Sequence, residues 1–182
     1  KFIKTKYTIL ACDDEFYSVY ALRKCVNFLE SNKDFVAVNG NAISFAKKNN
    51  KLVFNDSYHE WIGKKNIKDD PKDRMTSHMK NFVNTLGVSV TKSSLWKKNA
   101  EFYSNNELPI FAQWELQMNL ILSFVGKSKT LNIIMHFRSF EDNSKPIPLL
   151  IKNHIPSLNL KNKIHKFWIE SIYEKQKKNY II

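Results

Sequence analysis

The sequence predicts an α/β protein in which helices flank a mixed sheet. Short β-branched and aromatic runs alternate along the chain with longer segments of helical periodicity, which is the pattern of this fold class. Hydrophobic residues make up 43% of the 182 residues, which suffices for one packed core and argues against wholesale disorder. The run at residues 7–12 has no polar face, so we expect it to be a buried strand in the interior of a mostly parallel sheet.

The next elements follow in chain order. Residues 16–30 repeat apolar side chains at helical spacing, which predicts an amphipathic helix lying on the sheet. A strand over residues 35–38 follows this helix and ends before Asn39 and Gly40. Two apolar triplets, 43–45 and 52–54, flank a polar stretch and predict either a hairpin or an excursion near the active site.

The second half of the predicted domain contains three helices and two strands, the first of them a short strand over residues 88–90. Pro71 fits the first turn of a helix that runs to about residue 84, and Thr91 fits the N-cap of a helix over 94–103. Residues 109–125 form the most hydrophobic segment, apolar nearly all round, and predict a central buried helix. Residues 131–137 then predict a strand.

The end of the sequence is predicted to be a separate segment. Pro146 and Pro148 indicate a linker, so we divide the chain into a domain over residues 1–145 and a tail over 146–182. The tail contains a predicted helix at about 158–178 with an apolar stripe between lysines. Such a helix can pack on its own domain, pack on a second subunit, or lie in a membrane interface.

The charge of the chain limits its partners. The net charge is +12, but nearly all of the positive charge is lysine, with arginine only at Arg23, Arg74 and Arg138. Sequence-reading nucleic-acid modules depend on arginine for bidentate base contacts, so we expect no nucleic-acid partner. Cys12 and Cys25 do not form a disulfide framework, and no apolar run is long enough to span a bilayer. We therefore expect a cytoplasmic protein, or one attached to the inner face of the membrane.

Three consecutive acids, Asp13, Asp14 and Glu15, follow the first predicted strand. Three adjacent carboxylates repel one another unless a positive group lies among them. Oxygen ligands at the carboxyl end of a strand suit Mn²⁺ or Mg²⁺, which bind substrate phosphates and retain water. The alternative is that the acids start the next helix, where carboxylates are favourable.

Six segments form an ordered series of motifs from about Tyr7 to Arg138: 7–17, 21–30, 35–40, 113–115, 124–127 and 136–138. In this order they resemble a bacterial family 2-like glycosyltransferase of the GT-A fold. In this fold the Asp-rich motif follows a nucleotide-binding half of alternating strands and helices. Since the motif here begins at Asp13, the resemblance implies the C-terminal part of such a domain, with the N-terminal half missing from this sequence.

The resemblance also implies roles for particular residues. It assigns Asp13, Asp14, Glu15 and His136 to a divalent metal. Asp13 and Arg138 would contact the nucleotide-sugar donor. Apart from the resemblance, Arg74 could bind donor phosphate or acceptor from the helix face that it shares with His78. Glu115 corresponds to the acidic residue that opens the long helix after the acceptor region, and it would act as the general base.

The residues themselves support some of these roles and leave alternatives open. A carboxylate within an apolar helix should have a raised pKa, which suits Glu115 as a base, but a core glutamate paired with lysine or arginine fits equally. His136 and Arg138 alternate on a strand and so share a face, which is either a phosphate and metal site or a solvated surface. Arg74 and His78 lie four apart and share a helix face, for which an ordinary solvated surface is the alternative.

These observations predict a metal-dependent, inverting glycosyltransferase of cell-surface polysaccharide biosynthesis. The donor would be a nucleotide-diphosphate sugar and the acceptor a glycan or lipid-linked molecule. His59, Glu60 and Trp61 fit an acceptor loop, because aromatic faces stack on sugars, although surface packing explains them equally. The alternatives are a non-catalytic, degenerate transferase-like binding module and, less favoured, a basic nucleic-acid-binding protein.

Overall fold

The computed structural model describes residues 3–12, 15–55, 58–80, 82–104 and 111–139, without the side chains of 102–104 and 111–114. Within this part the protein is a mixed α/β structure with one seven-stranded sheet. The strands are β1 (Tyr7–Thr8), β2 (Glu15–Tyr17), β3 (Phe35–Lys48), β4 (Lys51–Asn55), β5 (Lys65–Asn66), β6 (Val90–Lys92) and β7 (Lys127–Ser139). The helices are α1 (Val19–Ser31), α2 (Pro71–Lys80), α3 (Ser93–Ser104) and α4 (Phe111–Val125), with a 3₁₀ turn at His59–Trp61.

The two longest strands, β3 and β7, form the parallel centre of the sheet. The strand order is β1-β6-β3-β7-β2, and β3 pairs with β7 over most of its length with irregularities in register. Every other described pairing is antiparallel, including β4 on the distal part of β3 and β5 on the start of β7. All described neighbours of the central pair therefore run antiparallel to it.

Helix α1 packs on this sheet through one stripe. Ser18 caps the helix, because its Oγ accepts the amide hydrogen of Ala21 at 3.3 Å. Ala21, Cys25 and Leu29 recur at four-residue spacing and are fully buried against a cluster that includes Val38 and Met135. The predicted amphipathic helix is confirmed, although it begins at Val19 because residues 15–17 pair with β7 as β2.

Helix α4 provides much of the remaining core, as its apolar sequence predicts. Met118 and Leu122 pack with Val36 and Ala37 of β3, while Leu120 packs with the two buried methionines of α2. The helix therefore contacts both the sheet and α2. None of the described helices is both long and apolar enough to cross a membrane.

The close approach of β3 and β7 requires a glycine. A Cβ at Gly40 would lie 2.5 Å from the carbonyl oxygen of Ile133 and 2.7 Å from Cβ of Met135. Backbone atoms cannot move aside cheaply, so any other residue here would separate the two strands. This position coincides with the register shift between Gly40 and Asn41.

The predicted hairpin is confirmed. Phe45 of β3 lies opposite Phe54 of β4, and the strands are joined by Asn49 and Asn50. Both asparagines have positive φ, 50° and 59°, as a two-residue type I′ turn requires. Asparagine tolerates this left-handed backbone better than most residues.

The prediction for residues 7–12 is wrong. Only Tyr7 and Thr8 form a strand, and it is half-buried at the edge of the sheet, antiparallel to β6. An apolar run without periodicity shows only that its side chains are covered, and here Ile9 packs on the α1 cluster without strand pairing. The interior parallel strands are β3 and β7 instead.

Two other expectations need correction, and a third concerns residues that the structure does not describe. Thr91 is not an N-cap, because it lies buried in β6 and α3 begins two residues later at Ser93. Helix α2 begins at Pro71 as predicted but ends at Lys80. The predicted linker and C-terminal helix within 146–182 lie outside the described residues.

Candidate active site

One cavity of about 440 Å³ lies between the sheet, the 3₁₀ turn and α4. Its volume is in the range of sites that hold small organic ligands. Four of the residues given a metal, donor or catalytic role from the sequence line it: Glu15, Glu115, His136 and Arg138. These residues come from β2, α4 and β7, so the fold brings together positions that are up to 123 apart in the chain (138 − 15).

Glu15 lies at the start of β2 with its side chain only 5% exposed. The hydroxyl of Tyr17 donates a hydrogen bond to its carboxylate and lies 3.0 Å from the carbonyl oxygen of Leu10. Burial by itself would raise the pKa of Glu15, but neighbouring His136 and the Tyr17 hydroxyl outweigh it and hold the pKa below its usual value. Glu15 therefore presents an ionised carboxylate to the cavity.

His136 is 1% exposed and lies directly beside Glu15. Its ring makes edge contacts with Tyr17 and Trp61, at centroid distances of 4.8 and 5.3 Å. Nδ1 lies 3.9 Å from Oε2 of Glu15, too far for a hydrogen bond, and neither ring nitrogen has a hydrogen-bond partner within the described part of the chain. Burying two unpartnered polar nitrogens is costly, which is typical of a group that binds a ligand.

Arg138 lies on the same side of β7 as His136, as strand alternation predicts. It pairs directly with Glu15 across the β2–β7 ladder and is exposed at the cavity. Its positive charge helps to lower the pKa of Glu15. At Glu115 the same charge opposes a rise in pKa that burial causes. The guanidinium thus sits where an anionic ligand group would meet it.

Glu115 enters the cavity from α4. Burial raises the pKa of its carboxyl group, which a hydrogen bond with Asn84 and the charge of Arg138 only partly offset. The raised pKa expected from the apolar sequence of this helix is therefore confirmed. Its carboxyl group has a hydrogen bond with the side chain of Asn84, and the charge of Arg138 acts on it without a salt bridge among the described contacts.

A buried asparagine, Asn119, fixes the orientation of the Asn84 side chain towards Glu115. Asn119 is fully buried, and its Oδ1 accepts the Leu86 amide hydrogen at 3.3 Å and lies 3.1 Å from Nε2 of His78. Its Nδ2 donates to Oδ1 of Asn84 at 2.8 Å and to the carbonyl of Glu115 at 2.7 Å. Because Oδ1 of Asn84 is already an acceptor, its Nδ2 is left to donate towards the carboxylate of Glu115.

Aromatic side chains form one wall of the cavity. Tyr58 and Trp61 are in edge contact at 5.2 Å, and Trp61 is anchored in a small core cluster with Ala42 and Val88. Glu60 also lines the cavity, whereas His59 is exposed and is not among the lining residues. Of the predicted acceptor loop, Glu60 and Trp61 therefore reach the cavity.

Arg74 lies elsewhere and has a structural role. It is 5% exposed and donates to the carbonyls of Ser123 and Phe124 near the end of α4, at 2.8 and 2.7 Å. It also donates to the carbonyls of Lys68 and Asp69 at 2.8 and 2.6 Å. These bonds occupy four of its five donor hydrogens and hold the start of α2 against α4. The alternative expectation, that Arg74 and His78 lie on a solvated helix face, is also wrong. His78 is largely covered, and burial lowers its pKa to about 4.

The metal prediction remains a prediction. Asp13 and Asp14 lie outside the described residues, and among those described no three His, Cys, Asp or Glu side chains form a metal-binding group. What is described fits a cation in its chemistry: the carboxylate of Glu15 and the unpartnered imidazole of His136 face the same cavity. Carboxylate oxygen and imidazole nitrogen are both ligands of Mn²⁺.

Four residues of the site escaped the sequence analysis: Tyr17, Tyr58, Asn84 and Asn119. Two of them left a signal. Tyr17 is two residues from Glu15 in an extended segment, and Asn119 is one turn after Glu115 in an otherwise apolar helix. Asn84 sits in irregular structure after α2, where spacing carries no information about orientation.

Comparison with known proteins adds no identification. No protein-family model matches the chain, and no curated protein matches it significantly. The functional conclusion therefore depends on the quoted motifs and on the geometry of the cavity.

Proposed function

We propose that this chain is part of an inverting glycosyltransferase that uses a nucleotide-diphosphate sugar. The observation that carries the proposal is the convergence of Glu15, Glu115, His136 and Arg138 on one cavity of ligand size. The sequence motifs selected these four residues on chemical grounds and by resemblance. Residues that are unrelated in function and so far apart in the chain are not expected to line the same cavity.

The chemistry assigned to the cavity is the displacement of a nucleoside diphosphate from the anomeric carbon by an acceptor hydroxyl. Glu115 takes the proton of the acceptor hydroxyl, while the new C–O bond forms and the bond to the diphosphate breaks. A base working near neutrality benefits from a pKa above that of an ordinary glutamate, and burial supplies this shift. Asn84 holds the carboxylate in place through the amide network described above.

The opposite side of the cavity receives the donor. Arg138 faces the diphosphate, and Tyr58 and Trp61 offer aromatic faces to a sugar ring. Glu15 and His136, with Asp13 and Asp14, would hold Mn²⁺ or Mg²⁺. A cation bound there would neutralise the charge that develops on the departing diphosphate.

The finer features of the proposal come from the resemblance. The nucleotide-binding half would precede this sequence in the complete GT-A domain, and the acceptor would be a glycan or lipid-linked molecule of a surface polysaccharide. Such an acceptor would place the enzyme at the inner face of the membrane. Arg74, which was considered as a donor contact from its spacing with His78, is left out because its side chain already donates to four backbone carbonyls.

The test is calorimetry and turnover with the complete protein. We expect uridine or guanosine diphosphate to bind only with Mn²⁺ present, and Glu15→Gln to abolish that binding. Glu115→Gln should spare binding and lower turnover of the matching nucleotide sugar by about 10²-fold or more, as for loss of a general base. Glu101→Gln, an exposed change on α3, serves as the control and should alter neither.

Three outcomes would contradict the proposal. Nucleotide binding without turnover of any sugar donor would favour the non-catalytic binding module. Salt-sensitive binding of oligonucleotides in place of nucleotides would favour the nucleic-acid-binding protein. Normal turnover of Glu115→Gln would remove this residue as the base.

A further inference from the structure

The β3–β4 hairpin exposes apolar side chains to an unusual degree. Every residue of β4 is exposed, with Leu52 at 62%, Val53 at 48% and Phe54 at 58% of their full accessible surface. Large apolar side chains in a strand normally face a core, and here both faces of β4 are open. Isolated exposed apolar residues need no explanation, but three in succession do.

The exposed residues continue across the neighbouring strands. Phe54 lies opposite Phe45 in the antiparallel ladder, and the ring of Phe45 lies 5.9 Å from that of Phe16 on β2. Phe16 is itself 64% exposed. We call the four residues that share one face, Phe16, Phe45, Leu52 and Phe54, the hairpin surface. An exposed apolar surface of this kind marks a contact with a partner or a membrane.

The charge around the hairpin surface selects between partners. Lys47, Lys48 and Lys51 are all exposed at the hairpin tip, next to the turn. Residues 35–55, the whole of β3 and β4 with their turn, contain no aspartate or glutamate. Apolar side chains beside a lysine cluster with no acid in the same hairpin complement a surface that offers both negative charge and hydrocarbon.

We propose that the hairpin surface binds an anionic lipid membrane. Phe54, Leu52 and Phe16 enter the interfacial region, and the lysines at the tip lie among the headgroups. The free edge of β4 could instead pair with a second copy of the chain. Lys51 on this edge strand disfavours that arrangement, since edge lysines are a common means of preventing such pairing. The inference does not depend on the transferase reaction.

The proposal is tested by flotation of the full-length chain with vesicles. One set is phosphatidylcholine alone and the other contains roughly one third phosphatidylglycerol. We expect partitioning to the anionic vesicles that weakens at high salt. Replacing Lys47 and Lys48 by glutamate should lower the partition coefficient about 30-fold or more, and Leu52→Ser with Phe54→Ser about tenfold or more.

Matched controls separate this surface from a general effect. Lys72→Glu with Lys80→Glu gives the same net charge from exposed positions on α2, and Ile62→Ser with Ile67→Ser removes exposed apolar side chains elsewhere. Both controls should lose much less partitioning than the hairpin variants. A circular dichroism melt establishes that each variant is folded.

Several results would overturn the proposal. Equal losses in the two lysine variants would mean a diffuse electrostatic attraction. Unchanged partitioning of the Leu52/Phe54 variant would exclude the hairpin surface as the membrane-binding site. Loss of binding by Phe167→Ser with Trp168→Ser would then assign binding to the predicted C-terminal helix. Conversion of a dimer to a monomer by the Leu52/Phe54 variant, without a change in partitioning, would identify an interface between copies.

Discussion

Replacing Arg74 by methionine separates its structural role from the donor-binding role considered from the sequence. Methionine retains much of the side-chain volume and removes all of the donors. The carbonyls of Ser123 and Phe124, near the C-terminal end of α4, lose a positively charged partner where the helix dipole favours one. The carbonyls of Lys68 and Asp69 lose theirs in the segment that leads into α2.

The expected cost follows from which carbonyls water can reach. The bond to Ser123 is buried, and its loss leaves an unsatisfied carbonyl at about 1–3 kcal/mol. The other three bonds are partly buried, and water can replace some of them at little cost. Each of the bonds that water does not replace costs about 1 kcal/mol. We therefore expect Arg74→Met to lower the free energy of unfolding by about 3–5 kcal/mol.

Urea denaturation followed by circular dichroism measures this change. Arg23→Met, on the exposed side of α1, is the matched control and should change the free energy of unfolding by no more than about 0.5 kcal/mol. Arg74→Lys keeps the charge but not the fork of donors, so it should fall between the two. Unfolding of Arg74→Met indistinguishable from wild type, together with loss of nucleotide binding, would refute the structural role and restore the donor-binding one.

Three further predictions concern the core and the cavity. Gly40→Ala should lower the free energy of unfolding by about 3 kcal/mol or more in the same urea experiment, because its Cβ would clash with the β7 backbone; wild-type stability would mean that the strands separate freely. Asn119→Leu should cost about 2–4 kcal/mol by removing the partners of Leu86 and Asn84, against about 0.5 kcal/mol or less for exposed Asn27→Leu. Since the pKa of Glu115 is raised on folding, the folded state of the wild type loses stability as this carboxyl group ionises with rising pH. Glu115→Gln should therefore gain stability relative to wild type as pH rises from 4 towards 8. A difference in the free energy of unfolding that does not change with pH would show that the pKa of this carboxyl group is unshifted.

Local features of the fold were predictable where one short stretch of sequence decides them. The Asn49-Asn50 turn fixes the hairpin, and the length and all-round hydrophobicity of residues 109–125 suffice for α4. Strand order was not predictable in this way. Residues 7–12 have the composition of an interior strand, but the long strands β3 and β7 occupy the centre and leave Tyr7 and Thr8 at the edge. Pairing between distant segments decides this, and no local pattern contains it.

The site could be predicted to a similar extent. Strand alternation places His136 and Arg138 together, and an acid in an apolar helix implies the raised pKa of Glu115. The spacing of Arg74 and His78 gave the wrong expectation, because helix periodicity shows which residues share a face and not what that face packs against. The orientation of Asn84 depends on Asn119 from another element, which only the tertiary structure reveals.

The most direct test of the proposed function is a crystal structure of the complete protein with Mn²⁺ and a nucleoside diphosphate. We predict an anomalous manganese peak coordinated by Glu15 and His136, with the diphosphate facing Arg138 and the acceptor side open towards Glu115. A manganese peak and nucleotide bound away from this cavity, or a cavity that stays empty at saturating nucleotide, would contradict the account.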